Sequence, residues 1–231
     1  MPTSSDRNEP RAQVRIISGS GRYADPWHDF ARTSQRIAEV ITGLGHEVKI
    51  DDRVEDALTD LAGVDLVVVN IGNPERHGGE TAQVAAAMGG LREHLAAGGG
   101  LLSVHSSATS FPATPAWEEI VGGRWIGGRS MHPRIGETTI TINTDCHPIT
   151  AGLADLTVWD ERYSYLRISP EVVPLAEHSH DGLRHVMAWA RDDPRGRVVF
   201  DGLGHGVRSY DSDSRVDLLR REVQWLLGPR R

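Results

Sequence analysis

The sequence predicts an α/β fold, with a mostly parallel, doubly wound sheet followed by an antiparallel β extension. Three observations predict it. In the first half of the chain, strand-like apolar runs alternate with segments of helical periodicity, the rhythm of βαβ units. The stretch Gly98-Gly99-Gly100-Leu101-Leu102-Ser103-Val104-His105-Ser106-Ser107 reads as a helix stop, a strand covered on both faces and a polar turn. From Glu137 onward the pattern changes to β-branched alternation with a hairpin turn.

The elements follow in order. Gln13 to Gly19 is a first strand, and the loop from Ser20 to His28 leads to a helix from about Trp27 to Leu44, where Phe30, Ile37, Val40, Ile41 and Leu44 recur at helical spacing. Glu47–Ile50 alternates as a second strand, and Asp65–Asn70 is a third, buried one. Glu80 to Ala97 reads as a helix that Gly89-Gly90 interrupts. After the central strand, Ala116–Val121 is a short helix, and the glycines of Gly122–Gly128 argue for a loop with close backbone approach. Glu137–Asn143, Val172–Glu177 and His185–Ala190 are half-buried strands, the last two joined across Asp181-Gly182. Arg197–Leu203 returns to a buried strand ending in Gly204-His205-Gly206. A final helix, from about Ser214 to Leu227, buries Val216, Leu219, Val223 and Leu226.

Composition narrows the function. The chain has 231 residues, of which 39% are hydrophobic and 25% charged, with a formal net charge of −7. These values suit one large domain, here residues 13–229, behind a polar, disordered leader over residues 1–12. No basic stripe is present, which disfavours nucleic acid as a partner. No apolar run approaches a membrane span, and the leader lacks the apolar core of a signal peptide. Cys146 is the only cysteine; it excludes an internal disulfide and a cysteine-rich zinc site and fits a cytoplasmic protein. A homodimer is the general expectation for such a chain.

Polar groups at strand ends are the candidates for chemistry, because open α/β sheets bind ligands at the carboxyl ends of their strands. His105 closes the central strand, and His205 lies between two glycines after another. His132 precedes Pro133, and Glu161 could complete a histidine–carboxylate set of the kind that holds a catalytic divalent metal such as zinc. No short ligand motif is present. His147 before Pro148 reads as a turn residue; His178, His180 and His185 read as solvated around the hairpin; and His28, His46, His77 and His94 read as surface or helix-end residues, with His28 a slightly better candidate because it follows the first strand's loop. Ser106 lacks the flanking glycines of a nucleophile elbow, and Gly19-Ser20-Gly21 lacks the full dinucleotide fingerprint. Trp117, Trp125, Trp159 and Trp189 are packing residues of which one or two could stack on a sugar.

Taken in order, Gly99–Ser107, Trp117–Gly123, His132-Pro133, His147-Pro148-Ile149-Thr150-Ala151-Gly152-Leu153, Asp160-Glu161-Arg162-Tyr163, Ala188-Trp189, Gly196-Arg197-Val198 and Gly204-His205 resemble the ThuA-like (trehalose utilisation) family. The resemblance implies a flavodoxin-like three-layer sandwich of the class I glutamine amidotransferase type, with His105 at or near the position of the amidotransferase thiol. Without that thiolate, glutaminase chemistry is not expected. The resemblance points to a small-molecule carbohydrate as partner and to cleavage or isomerisation of 3-keto glycosides. In that reading His105, Glu161 and His205 are catalytic; His105, His132, Glu161 and His205 are candidate metal ligands; and Ser106, Trp125 and Tyr163 bind substrate. The alternatives are a non-catalytic sugar-binding or regulatory module on the same fold, and a hydrolase with Ser106 as nucleophile.

Overall fold

The computed structural model describes residues 11–78 and 81–229. In chain order the elements are β1 (Gln13–Ser18), α1 (Phe30–Gly43), β2 (Glu47–Asp51), α2 (Val54–Thr59), β3 (Leu66–Asn70), α3 (Gln83–Ala96), β4 (Gly100–Val104) and α4 (Pro115–Val121). They continue with β5 (Gly123–Arg124), β6 (Gly136–Ile142), β7 (Leu156–Asp160), β8 (Arg167–Ile168), β9 (Val173–His180), β10 (Leu183–Asp193), β11 (Gly196–Asp201) and α5 (Asp213–Leu227). Nine strands form one sheet in the order β2-β1-β3-β4-β11-β10-β9-β6-β7. The first five run parallel, and the remaining four extend the sheet by antiparallel pairing. This is the expected mixed sheet, with its parallel half as the core of a flavodoxin-like three-layer sandwich.

Two apolar layers hold it together. Ile37 and Ile41 of α1 and Leu218, Leu219 and Val223 of α5 pack with Leu102 and Val104 on one face. Leu58 of α2, Leu91 and Leu95 of α3 and Trp117 of α4 pack with Val67, Val69 and Leu101 on the other. Strand β4 is therefore buried on both sides throughout, which is why it reads as an unbroken apolar run.

Local signals set the boundaries. Asp29 caps α1 by accepting the Arg32 N–H, so the helix begins at Phe30 and Trp27 stays in the preceding loop. Asp181 and Gly182 take positive φ values of 51° and 74° in the two-residue β9–β10 turn, as a twisted hairpin requires. Strand β2 is an edge strand whose Ile50 is 39% exposed, so its apolar alternation does not translate into burial.

Other expectations change. Helix α3 runs unbroken through Gly89 and Gly90. A Cβ on Gly90 would lie 2.4 Å from the carbonyl oxygens of Leu58 and Thr59, so this glycine admits the end of α2, a helix the sequence reading lacks. Glu80, where that reading starts α3, lies outside the described residues, as does residues 1–10 of the expected leader. Ala12 is already tied to Glu47 at the β2 edge. Strand β7 was also not expected, and the glycine-rich stretch contributes the short strand β5, paired with β8. His178 and His185 are buried rather than solvated, and His94, at the end of α3 as expected, is buried there too. His94 donates from Nε2 to the Gly100 carbonyl at 3.0 Å, His178 donates to the Tyr163 carbonyl at 3.0 Å, and His185 accepts the Tyr165 N–H at 3.3 Å. No helix among the described residues is long and apolar enough to cross a membrane.

A fully buried ion pair, Arg215–Asp201 at 2.6 Å, joins α5 to the end of β11. Glu222 is buried beside it; burial first, then the neighbouring Asp201 charge, raises its carboxyl well above the ordinary 4.5. Folded Glu222 thus keeps a proton that the unfolded chain loses, and it favours folding fully only below about pH 4.5. Stability should fall as pH rises above that value, and Glu222→Gln should flatten the decline in urea denaturation curves. Arg215→Met strands the Asp201 charge and should cost about 3–5 kcal/mol; a loss below about 1 kcal/mol in the same measurement would contradict this assignment.

Candidate functional site

Loops at the carboxyl ends of β1, β3, β4, β7 and β11 converge on one cleft of about 930 Å³. His105, which follows β4 directly, packs behind the lining, its ring against those of His28, Tyr163 and His205. His105 has φ 45°, a left-handed conformation that costs a non-glycine residue energy and that packing must enforce. The chain then enters a tight helical turn, His105–Thr109. This is the elbow at which the resemblance places His105. Its ring is 1% exposed. Nδ1 donates to the Gly202 carbonyl at 2.8 Å, which leaves Nε2 as the acceptor, and the Tyr163 hydroxyl donates to it at 3.0 Å.

His28 comes from the loop after β1. Its Nδ1 lies 2.8 Å from both carboxylate oxygens of Asp25, so Nδ1 carries the proton and Nε2 is buried with no hydrogen-bond partner. The His28 ring packs 5.2 Å from that of His105 and 4.7 Å from that of His205. Glu161 follows β7. Its carboxylate lies 3.5 Å from His105 Nε2 and 3.4 Å from His205 Nδ1. That His205 nitrogen is buried, and at this separation it makes no hydrogen bond.

The ligand atoms of His28, His105, Glu161 and His205 all lie within 4.8 Å of one another. Three imidazole nitrogens and one carboxylate oxygen are a donor set suited to zinc and other divalent first-row metals. Two further features fit a cation. Two of the imidazoles present unpartnered buried nitrogens, and His28 and His105 have their other nitrogen held by a carboxylate or a carbonyl, the orienting contact that metal-bound histidines make.

Electrostatics agree with this arrangement. Burial alone would raise the Glu161 carboxyl, but the imidazoles of His105 and His205 outweigh it and hold Glu161 well below the usual carboxylate range. Burial disfavours charge on His205, yet Glu161 prevails and pushes it up. Burial lowers His28, with Asp25 opposing and the neighbouring imidazoles adding to the fall, so its Nε2 lone pair stays available at neutrality. Burial, then the Glu161 charge, raises Tyr163 well above its ordinary value, which keeps it a phenol that can donate.

The other candidates surround this cluster. His132 is 39% exposed along its side chain, with Nδ1 3.5 Å from Glu161 Oε1 and 3.0 Å from the Pro133 carbonyl. It stands at the rim, and His28 takes the fourth place in the cluster. His28 carries a weaker form of the signal of His105, a histidine beyond a predicted strand, because eight residues of loop intervene. Trp125 lines the cleft with its ring 5.0 Å from that of Tyr163. Ser106 also lines the cleft, but its hydroxyl donates to the Ile71 carbonyl at 3.0 Å and no imidazole bonds to it among the described residues. Trp117 and Trp189 are core residues. Cys146 donates to the carbonyls of Asn143 and Pro174, at the end of β6 away from Asp160 and the cleft. A second cleft of about 630 Å³, lined by Arg11, Asp60, His94 and Gly228 among others, gathers no comparable set of ligands.

Asp160 holds the loops in place. Its carboxylate, 1% exposed, accepts the N–H of Glu161 at 2.9 Å, of Gly204 at 2.7 Å and of His205 at 3.1 Å, and the Ser209 hydroxyl at 2.5 Å. One buried anion thereby fixes the loop that carries Glu161 against the loop that carries His205.

Solved structures share this architecture. A protein described as ThuA-like from Parabacteroides merdae superposes with a TM-score of 0.77 at 16% identity, covering 95% of this chain and 91% of its own. Another from Bacteroides uniformis gives 0.76 at 15% identity, covering 98% and 95%. A glutamine amidotransferase from Thermotoga maritima gives 0.61 at 9% identity, covering 95% and 100%. At these identities the likeness is one of fold, an architecture this chain shares with a glutamine amidotransferase. No curated protein matches the chain in sequence. The ThuA family, described as trehalose utilisation, matches residues 16–226, and the chain belongs to it. That membership ties the chain to sugar utilisation.

Asp160→Asn would replace one acceptor with a donor facing backbone N–H groups. It should cost about 2–4 kcal/mol of unfolding free energy in denaturant titration. A change below about 0.5 kcal/mol would show that the loops are held by other contacts.

Proposed function

We propose that the chain is an enzyme of carbohydrate metabolism that cleaves or isomerises 3-keto glycosides by acid–base chemistry at a divalent metal ion such as zinc. The convergence of His28, His105, Glu161 and His205 within 4.8 Å, with His28, Glu161 and His205 lining the cleft and His105 packed behind them, carries this reading. Membership of a family described as trehalose utilisation supports the substrate class. In this reading the metal ligands are Nε2 of His28, Nε2 of His105, the Glu161 carboxylate and Nδ1 of His205. When bound, the cation supplies Lewis acidity to a sugar carbonyl and so favours loss of the neighbouring proton.

His132 is the general base. Its Nδ1 proton is given to the Pro133 carbonyl, which leaves Nε2 as the acceptor on a half-exposed ring at the cleft. A 3-keto group acidifies the C2–H bond. His132 takes that proton, the C–H electron pair forms the C1=C2 double bond, and the C1–O glycosidic bond breaks. The charged imidazole then returns the proton to the departing oxygen, which leaves as an alcohol. Tyr163, released from His105 Nε2, donates to a sugar oxygen, and Trp125 covers the ring. Elimination of this kind dispenses with the carboxylate pair of ordinary glycosidases.

Purified protein should contain about one divalent ion per chain, in keeping with one four-ligand site. His105→Ala and His205→Ala should lose the ion together with cleavage of a 3-keto disaccharide. His132→Ala should retain the ion and lose about 10²–10⁴-fold in turnover. Unchanged turnover in His105→Ala and His205→Ala would remove them from the mechanism. Metal-free protein that binds sugar without turning it over would favour the sugar-binding module instead.

A further inference from the structure

We infer that Arg124, with Arg167 beside it, forms an anion subsite in the cleft, and that the sugar taken there carries a carboxylate, as a glycosiduronate does. This rests on the reading of the cleft as a carbohydrate site and adds a charged group to its substrate. Both arginines line the cleft, and they face each other as register partners in the β5–β8 pair.

Arg124 is a buried cation whose partners leave it incomplete. It is 8% exposed. Its Nη2 donates to the Pro112 carbonyl at 2.8 Å. Its Nη1 lies 3.9 Å from Glu118 Oε2, too far for a hydrogen bond, and its Nε is buried with no partner. Glu118 is engaged by the other arginine, accepting from Arg167 Nε at 2.6 Å and also from Arg167 Nη2. Glu119 and Glu171 pair instead with Arg92 and Arg195. Among the described residues, two guanidiniums therefore share one carboxylate, and this wall keeps one positive charge in excess. A guanidinium withdrawn from water in that way is costly until an anion completes its bonding.

The wall is fixed to the catalytic side of the cleft. Trp117 Nε1 donates to the Ser107 carbonyl at 2.9 Å, and the Trp125 N–H donates to the Ala108 carbonyl at 2.9 Å. Helix α4, which carries Glu118, and strand β5 thus both lean on the turn that follows His105. Gly123 lets β5 meet β8, since a Cβ there would lie 2.8 Å from the Arg167 carbonyl oxygen. The next residue after Arg124 is Trp125, whose ring lies 5.0 Å from that of Tyr163, so the anion subsite adjoins the surface proposed for the sugar ring. A guanidinium held in one place presents a planar fork that suits a two-oxygen acceptor.

Charge selects the anion. One excess positive charge matches a carboxylate, whereas a phosphate ester carries about two negative charges at neutrality. Asp25, Glu75 and Glu161 line the same cleft, and their carboxylates oppose the more highly charged group. A neutral sugar leaves Arg124 unmatched, and a site that buries an unmatched donor rejects the analogue lacking the acceptor.

Calorimetric titration with methyl glucuronide and with methyl glucoside tests the subsite without requiring turnover. Native protein should bind the glucuronide about tenfold more tightly than the glucoside. Arg124→Gln should abolish that preference, and Arg124→Lys should keep part of it. Glu118→Gln removes the competing carboxylate and should enlarge the preference, which reads the same charge from the opposite direction should Arg124→Gln fail to fold. Equal native binding of the two glycosides, a preference that survives Arg124→Gln, or one that Glu118→Gln diminishes would overturn the subsite while leaving a sugar site standing. Tighter binding of glucose 6-phosphate than of the glucuronide would overturn the carboxylate as its occupant. If neither glycoside bound, the carbohydrate reading would fall together with the subsite.

Discussion

The site depends on the buried carboxylate of Asp160. Strand β7 ends the antiparallel extension, and β11 lies in the parallel core; Ser212 donating to the Thr157 carbonyl and Arg208 over the Trp159 ring tie the segment after β11 to β7 along its length, and Asp160 makes the junction at the site. A carboxylate accepting three backbone N–H groups and a hydroxyl replaces the hydration that burial removes. The same bonds bring Glu161 to within 3.4 Å of His205. The distances among His105, Glu161 and His205 follow from that junction and from the backbone at His105, while Asp25 sets His28.

His105 is the second constraint. Its positive φ turns the ring back over the end of β4, where the Gly202 carbonyl selects the tautomer. Burial of β4 on both faces makes that strained residue sustainable, because the strand cannot shift to relieve it. With Asp25 doing for His28 what Gly202 does for His105, the second nitrogen of each ring is left free to bind a cation. The imidazoles of His105 and His205 keep Glu161 a carboxylate in a place that burial alone would neutralise.

The legible parts of the chain were those whose signal is local. The alternation of strands and helices, the doubly covered β4, the Asp181-Gly182 hairpin and the inner face of α5 each follow from residues within a few positions of one another. So did the interest of His105 and His205, which stand at strand ends. The missed parts depend on distant partners. Gly90 looked like a helix breaker because the backbone of α2 that fills its space is some thirty residues away. His178 and His185 looked solvated because the segment from Tyr163 to Tyr165 that covers them is not sequence-adjacent. His28 looked peripheral because its neighbours come from the ends of β4 and β11.

The sequence by itself determined the class of fold, the order of most of its elements and the family, since hydrophobic period, turn residues and motif order are properties of short segments. Tertiary structure alone decided that His28 joins His105, Glu161 and His205 while His132 stays at the rim. A cluster of ligands is a set of distances between loops, and those distances are set by strand order in the sheet and by the Asp160 junction, neither of which has a local signature.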